Sequence, residues 1–181
     1  MLTLSSCNDD EEPTVTNPPG DNNPVTLSAT SMAQFSITTG GNTVQGVSGE
    51  SGYESLTLSS HNIDAISTYL MGHEVSQDNG KGLTVEFGPH TSQGMATQQV
   101  FHSFVTEGPI SFSSGQIRLI YRDGNGVEFF SDDLSQSGST FTVEDVVYQG
   151  DYIRFYATFS CKLLSGANAT TGYMVGALYR F

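Results

Sequence analysis

The stretch from Tyr152 to Leu164 alternates between apolar and polar side chains, and this pattern constrains the fold more than any other part of the chain. The apolar set is Ile153, Phe155, Ala157, Phe159, Cys161 and Leu163, and the intervening set is Arg154, Tyr156, Thr158, Ser160 and Lys162. Because successive side chains of a β-strand point to opposite faces of a sheet, a period of two predicts a strand. We therefore expect a long strand with one buried face.

Two hairpins are predicted around this pattern. The run from Thr140 to Tyr148 should pair with the Tyr152 strand across Gln149-Gly150-Asp151. A second hairpin should turn at Asp123-Gly124-Asn125-Gly126, since Asp-Gly and Asn-Gly supply the positive φ angles that a tight turn needs. Its strands and the remaining strand candidates are Gln116–Arg122, Val127–Ser131, Ala33–Thr38, Thr43–Ser48, Glu54–Ser59, Leu83–Phe87, Gln99–Thr106 and Tyr173–Phe181.

The segment from Asn62 to Gly72 carries two competing signals. Asn62 can cap a helix, and Ile63, Ile66, Tyr69 and Leu70 recur at helical spacing, although the β-branched residues also suit a strand. We predict a short helix over 62–72. The fold class that follows is all-β, a single antiparallel β-sandwich of about eight or nine strands spanning residues 26–181.

The charge balance excludes several classes of partner. The chain has 19 acidic and 6 basic residues and a formal net charge of −13. This excess of negative charge opposes nucleic-acid binding and direct contact with anionic lipid. No stretch approaches the roughly 20 apolar residues of a transmembrane helix.

Residues 1–12, MLTLSSCNDDEE, contain a candidate lipidation motif. Leu4-Ser5-Ser6-Cys7 resembles a bacterial lipobox, which implies that Cys7 is acylated and becomes the first residue of the mature protein. Two or more acyl chains suffice for a stable anchor. A complete signal peptide also needs a basic region and roughly 7–15 apolar residues, so we interpret residues 1–6 as a remnant whose upstream part a late start codon or trimming has removed. The alternative is an ordinary thiol in a flexible N-terminus.

The residues after Cys7 carry a second resemblance. Asn8, Asp9, Asp10, Glu11 and Glu12 resemble the surface-export signal of Bacteroidota lipoproteins, which implies a location on the outer face of the outer membrane. A periplasm-facing anchor followed by a solvated acidic spacer is the alternative. Residues 7–25 contain four of the six prolines, and we expect a disordered tether there.

The C-terminal strands are similar to small uncharacterised lipoprotein domains of Bacteroidota. In those domains an F-x-V strand precedes G-x-F-x-C-x-L and G-x-F strands; here the corresponding runs are Thr140–Glu144, Tyr156–Leu163 and Tyr179–Phe181, with Ala157 at the position of a family glycine. The resemblance implies a fold and no activity. Cys161 is expected to be a small buried hydrophobe, without a disulfide partner if Cys7 is acylated.

Motifs for metal binding and catalysis are incomplete. The four histidines, His61, His73, His90 and His102, lack metal-ligand spacing. Asp123, Asn125 and Glu128 resemble only fragments of a calcium loop, so a plain turn is favoured, with weak adventitious calcium binding near Asp132 and Asp133 as the alternative. No G-x-S-x-G elbow is present. We predict no metal, no cofactor and no enzymatic activity.

The outward face of the Tyr152 strand is the best candidate for a binding surface. Tyr152, Arg154 and Tyr156 fall at i, i+2 and i+4, where aromatic rings beside an arginine can stack on a sugar or contact a protein. A strand face covered by a loop is the alternative, and the absence of Trp weakens the case for glycans. The sequence therefore predicts a lipid-anchored binding or structural module. The two other hypotheses are a glycan-binding accessory lipoprotein of a polysaccharide-uptake system, and a small hydrolase with carboxylates about 5–9 Å apart.

Overall fold

The computed structural model describes residues 27–28, 30–62, 67–92, 102, 105–112, 116–131, 135–163 and 170–179. Within these residues the chain forms eleven β-strands. They are β1 (Gln34–Thr39), β2 (Asn42–Val47), β3 (Tyr53–Asn62), β4 (Ser67–Gln77), β5 (Gly82–Ser92), β6 (Gly108–Ile110), β7 (Ile117–Arg122), β8 (Glu128–Phe130), β9 (Thr140–Gln149), β10 (Tyr152–Cys161) and β11 (Thr170–Tyr179).

The strands form two antiparallel sheets that pack face to face. The larger sheet has the order β2-β1-β11-β10-β9-β6, and the smaller has the order β3-β4-β5-β7-β8. The all-β sandwich predicted from the alternating pattern is confirmed. The number of strands exceeds the expected eight or nine because β4 and the short β6 were not predicted.

The core lies between the two sheets and is centred on three phenylalanines. Phe155 of β10 and Phe87 of β5 meet edge to face with ring centroids 5.2 Å apart, and Phe87 meets Phe141 of β9 in the same way at 6.0 Å. All three side chains are buried. Each such ring contributes about 1.5–3 kcal/mol through removal of apolar surface from water.

Both predicted hairpins are confirmed. β9 and β10 pair up to Gln149 and Tyr152, and Gly150 in the turn has a φ of 56°, a region that glycine adopts without strain. In the β7–β8 hairpin, Asp123 Oδ1 accepts hydrogen bonds from the backbone N–H groups of Asn125 (2.8 Å) and Val127 (3.0 Å). These bonds, led by that from Val127, hold the pKa of Asp123 below its ordinary value. Its carboxylate thus stabilises the turn.

The short helix predicted over 62–72 is wrong. β3 continues to Asn62, β4 begins at Ser67, and Asn62 pairs with Thr68 instead of capping a helix; residues 63–66 lie outside the described part. Met71, His73 and Val75 of β4 all point into the core. This period-two pattern continues past Gly72, and pairing with β3 and β5 outweighs the helical spacing of the preceding residues.

The strand predicted over 99–106 is also unsupported where it can be checked. His102, Val105 and Thr106 are described and are not in a strand, and the other residues of that stretch lie outside the described part. Among the described residues, no helix is both long and apolar enough to cross a bilayer.

The residues before β1 cover the outer face of the larger sheet. The Leu27 N–H donates to Asp145 Oδ2 of β9 (3.4 Å), and Asp145 lies opposite Tyr156 of β10. The chain then reaches β1 at the far side of β11, where the Ser48 N–H donates to the Ala33 carbonyl (2.8 Å). Leu27 and Ala33 thus each contact the larger sheet, whose strand β11 is buried on both faces.

Candidate functional site

The structure places Tyr152, Arg154 and Tyr156 on the outer face of β10, each partly buried. The Tyr152 ring lies 5.7 Å from the Tyr179 ring, and the Tyr156 ring lies 6.1 Å from the Tyr173 ring, measured between centroids. The Tyr152 hydroxyl donates to Gln149 Oε1. The three side chains therefore share the outer face of β10, as the alternation predicted, and tyrosines of β11 lie beside two of them.

A cleft of about 180 Å³ opens beside Arg154, and we call it the Arg154 cleft. Its position follows from the sheet topology. β1 begins at Gln34 opposite Val175, so the last residues of β11 have no described strand beside them on that side. The cleft is lined by Thr30, Ser31, Met32, Ala33, Ser48, Ser55, His73, Arg154, Ala177 and Tyr179.

The smaller sheet closes the inner side of the Arg154 cleft. Thr57 of β3 donates its hydroxyl hydrogen to the carbonyl oxygen of Ala177 (2.9 Å). This bond ties β3 to the part of β11 that β1 does not reach. The cleft is therefore bounded by elements of both sheets.

His73 is a core histidine of β4 that also lines the Arg154 cleft. Only 2% of its surface is exposed, and its ring meets the Phe155 ring edge to face at 6.3 Å. Gly176 makes room for it, because a Cβ there would lie 2.7 Å from His73 Cδ2. Neither ring nitrogen has a hydrogen-bond partner of normal geometry among the described residues.

Burial is the main reason that His73 is neutral at pH 7. Loss of hydration lowers its pKa from 6.5 to about 4; the nearby Ala177 carbonyl opposes this shift and the positive charge of Arg154 adds to it. A neutral imidazole offers one N–H donor and one nitrogen acceptor. With the Ala177 carbonyl beside one ring nitrogen, His73 brings to the cleft region a second ring nitrogen without a partner among the described residues.

Arg154 differs from the other two described arginines in its ionic partners. Arg118 pairs with Glu86 (3.5 Å) and Arg122 pairs with Glu128. Arg154 has no carboxylate partner among the described residues, and its Nε is buried without a hydrogen-bond partner there. A buried polar group without a partner costs about 1–3 kcal/mol.

The rim of the Arg154 cleft is apolar and exposed. Met32 is 41% exposed and Tyr179 is 52% exposed, and both are among the few large apolar or aromatic side chains of the described part that are so exposed. None of the residues that line the cleft is acidic. The cleft thus combines one positive charge, without a carboxylate partner in the described part of the chain, with exposed apolar side chains on its rim in a chain of net charge −13.

Sequence reasoning selected Arg154 but missed His73 and residues 30–33. The alternation of Met71, His73 and Val75 marks His73 as inward-facing, although it does not indicate which strand lies opposite. Cys7 and the acidic run from Asn8 to Glu12 lie outside the described residues. Cys161 is buried, as predicted, and burial raises its pKa to about 12.

Asp132 and Asp133, near which weak calcium binding was the alternative, lie outside the described residues. The described residues include no group of three His, Cys, Asp or Glu side chains placed to hold a metal ion. Two further cavities reach the surface of the described part: one of about 10 Å³ beside Glu74, and a depression of about 420 Å³ beside Glu54. Each is lined by a single carboxylate, so neither offers the acidic pair that the hydrolase hypothesis needs.

Comparisons with protein-family models, with curated proteins and with solved structures find no match to this chain.

Proposed function

We propose that this chain is a lipid-anchored lipoprotein of the cell surface that acts as a binding module, with the Arg154 cleft as its ligand site. In this proposal acyl chains on Cys7 hold the protein in the outer membrane. Residues 8–25 form a tether, and Asn8 to Glu12 direct the domain to the cell exterior.

The observation that carries the binding role is Arg154, which lines a cleft and has no carboxylate partner among the described residues. A sandwich that served only as a spacer would have no use for a partly buried guanidinium whose Nε has no hydrogen-bond partner among the described residues, because such an atom destabilises the fold. Ligand sites commonly combine an apolar wall with a few polar groups that point to one place. Arg154, His73 and Tyr179 meet this description.

A glycan ligand is the favoured form of this function, as in an accessory lipoprotein of a polysaccharide-uptake system. Tyr179 lines the cleft, and its ring lies 5.7 Å from the ring of Tyr152, measured between centroids. Aromatic faces beside an open cleft suit the apolar face of a sugar ring.

The anchor is tested by expression in a Bacteroidota host behind a complete lipoprotein signal peptide. We expect the wild-type chain in the detergent phase of a phase separation and the Cys7→Ala variant in the aqueous phase. Equal partitioning of the two would overturn the anchor. A variant with Asp9, Asp10, Glu11 and Glu12 changed to the matching amides should stay membrane-bound but become resistant to protease added to intact cells.

A further inference from the structure

The positive charge of the Arg154 cleft determines the sign of the charge that its ligand should carry. Among the described residues the arginines at 118 and 122 are neutralised by glutamates, whereas Arg154 faces a cleft without acidic side chains. A guanidinium presents planar donors that match a carboxylate, and charge-assisted bonds of this kind are the strongest that a polar ligand group can make. An anionic group is therefore the natural complement of the cleft.

His73 supplies an independent observation that points to the same place. It is more than nine-tenths buried and lines the cleft, and beyond the Ala177 carbonyl its ring nitrogens have no hydrogen-bond partner among the described residues. A buried imidazole in this condition lacks the partners that buried polar groups normally have. A ligand that carries hydroxyl groups beside its negative charge would provide them.

The size and surroundings of the cleft further restrict the chemical class of the ligand. A volume of about 180 Å³ is below that of sites for drug-sized ligands and suits a single ring. One arginine balances one negative charge, and the net charge of −13 repels densely charged polyanions. The exposed ring of Tyr179 on the cleft favours a sugar ring over a linear acid.

We infer that the Arg154 cleft binds a hexuronic-acid residue, with its carboxylate on the guanidinium of Arg154 and a hydroxyl group hydrogen-bonded to His73. This inference rests on the proposed function, since it names the ligand of the same cleft. The Tyr179 ring would lie against the apolar face of the sugar.

The test uses the Cys7→Ala chain with ¹³C-labelled methionine methyl groups. Met32 lies on the rim of the cleft, whereas Met71 and Met174 are buried in the core, so the Met32 signal reports occupancy. Sodium glucuronate is titrated into the protein, and glucose and sodium acetate are titrated separately as matched probes. The variants are Arg154→Gln, His73→Leu and, as a control on a distant arginine, Arg122→Gln.

We expect glucuronate to shift the Met32 signal saturably and glucose and acetate to bind at least roughly tenfold more weakly. Arg154→Gln should weaken glucuronate binding by roughly 10- to 100-fold, His73→Leu should weaken it less, and Arg122→Gln should leave it unchanged. Equal binding by wild type and Arg154→Gln would overturn the inference, as would acetate binding as tight as glucuronate. A chain that partitions with membranes through Cys7 yet ignores glucuronate would overturn this inference alone.

Discussion

Arg154 and His73 line the same cleft although they belong to different sheets: Arg154 projects from the outer face of β10, and His73 projects from the inner face of β4. Their meeting is possible because β1 begins only at Gln34, which leaves the end of β11 uncovered on one side. The positive charge of Arg154 adds to the effect of burial on the pKa of His73. The cleft is thus a consequence of where one strand begins.

The buried imidazole makes stability depend on pH. The pKa of His73 is about 4 in the folded chain and about 6.5 when unfolded, so the unfolded state binds more protons between these values. His73 therefore contributes stability above pH 6.5 that is lost as the pH falls toward 4. Denaturant unfolding at pH 7 and pH 4 should show wild type losing about 3 kcal/mol more than His73→Leu. Equal losses would contradict the buried neutral state.

Gly172 should not tolerate a side chain. A Cβ at this position would lie 2.1 Å from the Ser36 carbonyl oxygen and 2.8 Å from Phe159 Cζ, and the backbone of β1 cannot move without breaking its pairing with β11. Gly172→Ala should lower the free energy of unfolding by about 1–3 kcal/mol or more. Gly124→Ala is the control, because the nearest atom there is Lys81 Cδ at 3.9 Å. Its effect should be within about 0.5 kcal/mol.

Truncation of Phe155 should lower the free energy of unfolding more than truncation of any other single core residue. Its ring meets Phe87 and His73 edge to face, so its removal leaves a cavity between the sheets. Phe155→Ala should cost about 3–5 kcal/mol in urea denaturation. Leu56→Ala, at a side chain that is 59% exposed, should change stability by no more than about 0.5 kcal/mol. Similar costs for the two variants would contradict the assigned core.

Cys161 should be chemically inert in the folded protein. It is 1% exposed, and burial raises its pKa to about 12, so almost no thiolate forms at pH 8. In the Cys7→Ala chain, a thiol reagent should label Cys161 only after denaturant is added. Rapid labelling of the native chain would show that the C-terminal half of β10 is open to solvent.

Local sequence patterns were sufficient to predict most strands and both confirmed hairpins. The alternation along β10 and the Asp-Gly and Asn-Gly pairs of the β7–β8 turn are properties of neighbouring residues, and they act on the backbone directly. The prediction failed at 62–72 because helical spacing and β-branching compete there. Backbone pairing of β4 with β3 and β5, which joins residues distant in the sequence, decided that residues 67–72 form a strand.

The sequence by itself determined the class of fold, the strand pattern, the negative charge of the chain and the presence of an arginine among tyrosines on one strand. Only the tertiary structure decided that Arg154 has no carboxylate partner among the described residues while Arg118 and Arg122 do. It alone placed His73 of the other sheet beside Arg154. The physical reason is that a period of two assigns each side chain to one face of a sheet. Which side chains become its neighbours in space depends on the order of the strands and on where each strand ends. Packing of the whole core sets both.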